Sequence, residues 1–175
     1  MDRMKQSGAG ISGKALFVVL TVLPVMFDQW TKILATRTLG GGEHIVLIPG
    51  VLELTYVENR GAAFGILQNA RIFFFAITLA ALIAIFYILH RMPEDSRYLP
   101  LRICLHLIAA GAVGNLIDRL VLSYVRDFIY FSLIDFPVFN MADIYITCAT
   151  FTLLVLSLFY YRQEEDFAFL NRDKK

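Results

Sequence analysis

Charged residues are scarce in this chain of 175 residues. Only 18% of the sequence is Asp, Glu, Lys or Arg and 58% is hydrophobic, against roughly 25% and 45–50% in soluble globular domains. The net charge of +1 provides no basic field, so nothing favours binding to nucleic acid. Charge, glycine and proline are all absent from residues 72–89, IFFFAITLAALIAIFYIL. About 18 such residues suffice for a membrane-spanning helix, so we expect an integral membrane protein.

Cysteine is also rare, and no CxxC spacing or Cys/His cluster occurs. Cys104 and Cys148 both lie in apolar stretches, which predicts buried, inert free thiols. The three histidines form no ligand pattern, and His106 is expected to be a packed neutral residue. We therefore predict no metal site and no cofactor.

Four apolar segments predict a membrane protein with an all-α core of four transmembrane helices, at about 15–35, 70–89, 99–122 and 140–161. The first is longer than the usual 7–15-residue core of a secretory signal, and it carries Asp28 and Lys32 where a small-residue cleavage site would lie. Residues 1–175 are expected to form one polytopic domain, in which the short connection 90–98 makes the second and third helices a hairpin.

The distribution of Lys and Arg predicts the orientation. With both termini in the cytoplasm, the inner side carries ten of the 16 basic residues and the outer side the remainder. The extracytoplasmic loops are then 36–69 and 121–139. In the first loop, HIVLIPGVLELTYVEN alternates around Pro49-Gly50, which indicates a hairpin. The segment YVRDFIYF could add a strand, so a small extracytoplasmic β-sheet is expected.

Ionisable residues inside a bilayer cost about 2.5–3.5 kcal/mol each and indicate a site by default. At the end of the first helix, DQWTK places Asp28 and Lys32 one turn apart, which predicts an ion pair beside an interfacial Trp. NRGAAFG begins at Asn59, and either turns into a short interfacial helix or presents the Asn59 amide to a substrate backbone.

The third helix ends in GAVGNLIDR, whose small residues allow close packing or close approach of a ligand. Close packing would explain Gly111 and Gly114. It does not explain why Asn115, Asp118 and Arg119 lie within one apolar helix. The guanidinium of Arg119 suits a carbonyl or phosphate oxygen. Taken alone, VRDF is an ordinary exposed strand end. In FNMAD, Asn140 suits an N-cap and Asp143 the third helical position.

Together and in this order, DQWTK, NRGAAFG, GAVGNLIDR, VRDF and FNMAD resemble the motifs of the lipoprotein signal peptidase (signal peptidase II) family. The resemblance runs from Asp28 to Asp143 and includes the four-helix layout. It implies a bacterial aspartyl protease of the cytoplasmic (inner) membrane, with its active site at the extracytoplasmic face. Such an enzyme cuts the signal peptide from a prolipoprotein just before its diacylglyceryl-modified cysteine.

The resemblance also implies residue roles. The catalytic pair would be Asp127 and Asp143. Substrate contacts would come from Asn59, Gly61, Gly111, Asn115, Arg119 and Asn140, and structural support from Asp28, Lys32 and Asp118. The implied partners are lipid-modified prolipoproteins and membrane lipids, and we expect a monomer.

Two functions of other classes are compatible with the composition. A small proton- or cation-coupled transporter could use Asp28 or Asp143 as its ion site, since intramembrane carboxylates mark such pathways. Transporters more commonly place their key charge near the midplane between repeated halves, whereas here the charges gather at one edge and no repeat is visible. A non-catalytic scaffold could bind other membrane helices through Gly111 and Gly114.

Overall fold

The computed structural model describes residues 13–61 and 71–171. The interfacial helix that NRGAAFG predicts falls on residues outside these ranges. Within them, four helices are long and apolar enough to cross a membrane, namely Ala15–Leu39, Ile72–Arg91, Ser96–Val121 and Met141–Phe159. The prediction of a four-span membrane protein is therefore confirmed.

The helices differ in regularity. The first runs through Gly13–Phe17 and one π-helical segment, Val18–Val22, into the α-helix Leu23–Leu39. The second, third and fourth helices are Arg71–Arg91, Leu99–Val121 and Met141–Phe159. The ends of these helices lie near the ends of the apolar segments in the sequence. This agreement is expected, because a helix needs about 20 apolar residues to cross the hydrocarbon core of a bilayer.

The third helix lies at the centre of the bundle. Half of the residues in its most apolar stretch are buried within the protein, against 11–22% in the corresponding stretches of the other three spans. Ala109 and Ala110 are completely buried, while large apolar residues such as Phe151 and Phe159 of the fourth helix remain exposed. Small residues inside and large ones outside are what a bundle surrounded by lipid requires.

A three-stranded antiparallel sheet accompanies the bundle, as the sequence predicts. Its strands are β1 His44–Ile48, β2 Leu52–Asn59 and β3 Val125–Tyr130, in the order β1-β2-β3. The β1–β2 turn requires the positive φ of +69° at Gly50, which glycine adopts without steric cost. Phe128 of β3 packs with Ala35 and Leu39, so the sheet rests on the end of the first helix.

Residues 161–171 pack at the opposite end of the bundle. There the guanidinium of Arg97 donates to Oδ1 of Asp166 at 2.6 Å, and Tyr161 Oη donates to the carbonyl of Arg97 at 2.6 Å. The Tyr98 and Tyr161 rings stack 6.0 Å apart. These contacts fasten the 3₁₀ segment Glu164–Asn171 to the hairpin of the second and third helices.

One cysteine departs from expectation. Cys104 is buried, but Cys148 is exposed, so the prediction that both thiols are buried is wrong for Cys148. The fourth helix is only 11% buried in its apolar window, and Cys148 lies on a face that the other helices leave uncovered. Apolar surroundings in sequence therefore did not imply burial within the protein.

Candidate active site

Asp127 lies in the middle of β3, opposite Val57 of β2. On its other side, β3 pairs with the segment that precedes the fourth helix: Ile129 N–H donates to the carbonyl of Phe139 at 2.8 Å, and Phe139 N–H donates back at 2.9 Å. Asp127 is therefore only 2% exposed, and the interpretation of VRDF as an exposed strand end is wrong. A strand that looks terminal in sequence is covered here by a segment from 10 residues further along the chain.

The Asp127 carboxylate accepts two side-chain amide donors. Asn59 Nδ2 donates to Oδ2 at 2.9 Å, and Asn140 Nδ2 donates to Oδ1 at 2.6 Å. Burial raises the pKa of Asp127 to about 7, against the lowering effect of the Asn59 hydrogen bond. The nearby Asp143 carboxylate raises this pKa further, because two negative charges in one site oppose each other.

Asp143 opens the fourth helix. Its Oδ2 accepts the main-chain N–H of Asn140 at 3.1 Å, and Asn140 Oδ1 accepts the N–H of Asp143 at 3.1 Å. This reciprocal capping box confirms the prediction of Asn140 as N-cap. The cap leaves Oδ1 of Asp143 free to accept Nδ2 of Asn115 at 2.8 Å, which links the fourth helix to the third.

Asn115 also faces a buried network of charged residues. Its Oδ1 accepts Lys32 Nζ at 2.9 Å. Lys32 in turn pairs with Asp28 at 2.9 Å and lies 3.7 Å from Asp118, and all three side chains are fully buried. The predicted Asp28–Lys32 ion pair is thus confirmed, and the two positive charges of Lys32 and Arg126 balance the two carboxylates.

Two members of this network were missed by the sequence analysis. Arg126 contacts Asp118 through Nε at 3.0 Å and Nη2 at 2.7 Å. Gln29 bonds to Asp28, to Asp118 and to Arg126. A signal for Gln29 was present, because residues three apart on a helix share a face and Gln29 stands three residues before Lys32.

A cavity of about 420 Å³ opens over the two aspartates. Predicted site residues on its wall are Asn59, Gly61, Asn115, Arg119, Asp127 and Asp143, and the rest of the wall is formed by Val125, residues 136–139, Ile144, Thr147 and Cys148. Arg119 lies over the Phe74 ring, with Cζ 4.8 Å from the centroid. A mainly apolar cavity with a few convergent polar groups is the usual form of a ligand site.

Asn140 and Gly111 are not on the cavity wall. Asn140 is completely buried and contacts Asp127, Asp143 and Asn115 instead. Gly111 lies where the third and fourth helices touch, and a Cβ there would collide with the carbonyl oxygen of Ala142 and with the Ile146 side chain, 2.6 Å away. The structure thus places both behind the cavity, where they hold its walls.

Two carboxyl groups in one desolvated cavity can share a proton, which supplies a base and an acid together. Among residues 13–61 and 71–171, no group of three or more His, Cys, Asp or Glu side chains is arranged to hold a metal ion. The polar groups that face the cavity include the two aspartates, the Asn59 and Asn115 amides and the Arg119 guanidinium.

Comparison with known proteins decides the family. A sequence model of the family described as signal peptidase (SPase) II matches residues 20–159 of the chain, which includes every residue of the site. The chain belongs to the signal peptidase II family. The family resemblance of the five motifs is thereby confirmed, and the protein is a membrane-embedded peptidase.

Individual relatives agree with this assignment. The lipoprotein signal peptidase of Symbiobacterium thermophilum is 46% identical over 134 residues, which cover 75% of this chain and 87% of the relative. That of Clostridium tetani is 39% identical over 141 residues, covering 79% and 89%. A solved bacterial membrane enzyme, determined by the in meso method, is 36% identical with a TM-score of 0.75, covering 85% of this chain and 92% of the other.

Proposed function

We propose that this signal peptidase II removes the signal peptide from lipid-modified prolipoproteins, cutting just before the diacylglyceryl-modified cysteine, with Asp127 and Asp143 as its catalytic pair. The observation that carries the proposal is that both carboxyls line one cavity and share Asn140 as a hydrogen-bond donor. The names of the relatives support the substrate class.

In the proposed mechanism Asp127 carries the shared proton at rest, since its pKa is raised to about 7 by burial. Ionised Asp143 takes a proton from a water molecule as the water oxygen attacks the scissile carbonyl carbon. Asp127 gives its proton to the developing oxyanion. When the tetrahedral intermediate collapses, the carbon–nitrogen bond breaks, the leaving amine takes the proton that Asp143 holds, and one hydroxyl of the intermediate returns its proton to Asp127, which restores the resting pair.

Substrate contacts are proposed for Asn59, Gly61, Asn115 and Arg119, which line the cavity beside the aspartates. The Asn59 amide and Gly61 backbone would face the peptide, and Asn115 would help to hold Asp143. The Arg119 fork would bind a substrate carbonyl or the lipid-linked end, because a planar guanidinium suits paired oxygen acceptors. Asn140 and Gly111 then act from behind, by holding the aspartates and the helix contact.

We further propose the setting of the enzyme. Residues 1–175 form one polytopic, monomeric domain in the bacterial cytoplasmic membrane, with both termini cytoplasmic and loops 36–69 and 121–139 outside. The contact of Asp28 with Ala142 joins the end of the first helix to the start of the fourth, and the contact of Asp118 with Arg126 joins the end of the third helix to β3. A signal peptide spanning the bilayer would meet the aspartates at the outer end of the bundle, with its lipid chains left in the leaflet.

The test uses the purified full chain in lipid with a diacylglyceryl-modified precursor. Wild type should release the signal peptide, and mass spectrometry should show the lipid-modified cysteine as the new amino terminus. Asp127→Asn and Asp143→Asn should each reduce cleavage at least ~100-fold, the usual size of a general acid–base contribution. Asp95→Asn, an exposed aspartate that caps a 3₁₀ turn, is the matched control and should cleave normally.

Full cleavage by either active-site variant would remove the aspartate pair from the mechanism. Equal cleavage of a precursor that lacks the lipid would contradict the proposed substrate class but leave the pair intact.

A further inference from the structure

A second pair of carboxylates holds the backbone next to each catalytic aspartate. Oδ1 of Asp28 accepts the main-chain N–H of Ala142 at 3.0 Å, one residue before Asp143. Oδ2 of Asp118 accepts the main-chain N–H of Arg126 at 3.0 Å, one residue before Asp127. Both carboxylates are completely buried, so each fixes one of the two segments that carry the proposed catalytic pair.

The Gln29 side chain joins these two carboxylates. The two hydrogens of its Nε2 are shared among three acceptors, which are Oδ2 of Asp28 at 3.2 Å, Oδ1 of Asp118 at 3.0 Å and the carbonyl of Gly114 at 3.0 Å. On its other side, Oε1 accepts Nη2 of Arg126 at 2.9 Å. One amide thus contacts the first helix, the third helix and β3.

The orientation of this amide follows from its partners. An arginine side chain can only donate hydrogen bonds, and an ionised carboxylate can only accept them. Oε1 must therefore face Arg126 and Nε2 must face the carboxylates. Lys32 also links Asp28 to Asp118, but its contact with Asp118 is 3.7 Å long, so Gln29 provides the shorter link to Asp118.

We propose that Gln29 is a positioning residue that fixes the separation of Asp127 and Asp143 by joining the two carboxylates that hold their segments. The inference rests on the proposed function, because it concerns the geometry of that catalytic pair. A misplacement of about 1 Å in catalytic geometry can cost roughly 100-fold in rate, so a residue that never touches the substrate can still determine turnover.

Gln29→Met tests the role without unpairing a charge. Methionine has a similar length and no charge, and the Lys32–Asp28 and Arg126–Asp118 pairs remain. We expect kcat to fall roughly 10- to 100-fold while KM for the lipid-modified precursor stays nearly unchanged, since no substrate contact is lost.

The pH profile separates positioning from stability. Two carboxyls held close titrate as a unit with two apparent pKa values, and their mutual repulsion keeps those values apart. Looser spacing should bring the acid and alkaline limbs of the kcat profile towards each other. Asp143, Lys32 and Arg119 are the charged groups facing Asp127 in the site, and Gln29→Met alters none of them. A common shift of both limbs is therefore not expected.

Gln29→Glu is the second variant and keeps the shape while replacing the donor with an acceptor. It should lose turnover at least as strongly, and it supplies the test if Gln29→Met does not fold. Thr38→Val is the matched control. Thr38 is exposed on the same helix, and its hydroxyl donates only to the carbonyl of Leu34 among the described contacts; normal turnover is expected.

Wild-type kcat and an unchanged pH profile in a folded Gln29 variant would overturn the inference, even if its thermal unfolding temperature falls. The Asp127→Asn and Asp143→Asn variants test the proposed function separately from the role of Gln29. Inactive Asp127→Asn and Asp143→Asn enzymes beside an unaffected Gln29→Met would refute the positioning role alone. Active aspartate variants would refute the proposed function itself.

Discussion

The side-chain amide of Asn140 donates a 2.6 Å hydrogen bond to Oδ1 of Asp127. The same residue caps the fourth helix, because its Oδ1 accepts the N–H of Asp143. That N–H can only donate, so the Asn140 oxygen is committed to it and the amide nitrogen must face Asp127. One residue thus connects the strand and the helix that carry the two aspartates, and its orientation is not free.

Asn140→Ser should separate the two roles of this residue. Serine is about as good an N-cap as asparagine, so the stability that comes from capping the fourth helix should be retained. The shorter hydroxyl cannot replace the amide donor to Asp127, and we expect cleavage to fall at least ~10-fold, in line with the loss of a hydrogen bond to a charged group. Turnover in lipid and thermal unfolding are measured on the same preparation.

Asn140→Ala is the companion variant, since it loses both the cap and the donor. A larger fall in stability for Ala than for Ser, with a similar fall in turnover for both, is the expected pattern. Wild-type turnover by the serine variant would show that the Asp127 contact is not needed.

Activity should decline on the alkaline side with an apparent pKa near 7. Burial raises the pKa of Asp127 to about 7, and the proposed acid is its protonated form. As the pH rises through this value the proton is lost and both carboxyls become ionised, so the reaction has no acid. The initial rate of precursor cleavage, measured in lipid between about pH 5 and pH 9, shows whether the rate falls as the pH rises. A rate that stays flat or rises above pH 7 would contradict the assignment.

Gly111→Ala should destabilise the protein. A Cβ at this position would collide with the Ala142 carbonyl oxygen and the Ile146 side chain, so the third and fourth helices would have to separate. Overpacking of this kind costs about 1–3 kcal/mol, and the shift of Ala142 should also lower turnover through the adjacent Asp143. Thermal unfolding of the purified protein measures the first effect.

Val121→Ala provides the comparison on the same helix. Val121 is 74% exposed, and substitutions at such positions change stability by less than about 0.5 kcal/mol. Equal stability of the two variants would mean that the helix contact at Gly111 can relax at no cost.

Arg119→Lys should weaken substrate binding more than turnover. Lysine keeps the charge but loses the planar fork and the stacking over Phe74. We expect KM for the lipid-modified precursor to rise roughly 10-fold, about 1.4 kcal/mol, with a smaller change in kcat. Steady-state kinetics across a range of precursor concentrations make the distinction. A loss confined to kcat would instead assign Arg119 a role in the chemical step.

The sequence by itself determined the class of the protein and the positions of its elements. Uncharged apolar runs of bilayer length specify membrane helices, since a buried charge there is too costly. Three features follow from residues that are close in sequence: the turn at Pro49-Gly50, the Asp28–Lys32 ion pair and the Asn140 cap. Local spacing is therefore enough to predict them. The order of the five motifs identified the family.

Tertiary structure alone decided what the polar residues do. VRDF looked exposed in sequence because nothing local reveals that Phe139 pairs with Ile129 and covers the strand. The hydrogen-bond partners of Asp127 come from 68 residues before it and 13 residues after it, and those of Gln29 include residues of two other elements. Such contacts depend on how helices and strands pack across the bundle, which no short pattern encodes. Asp127 and Asp143 therefore became a candidate pair by resemblance, and share one cavity only because the fold brings β3 to the start of the fourth helix.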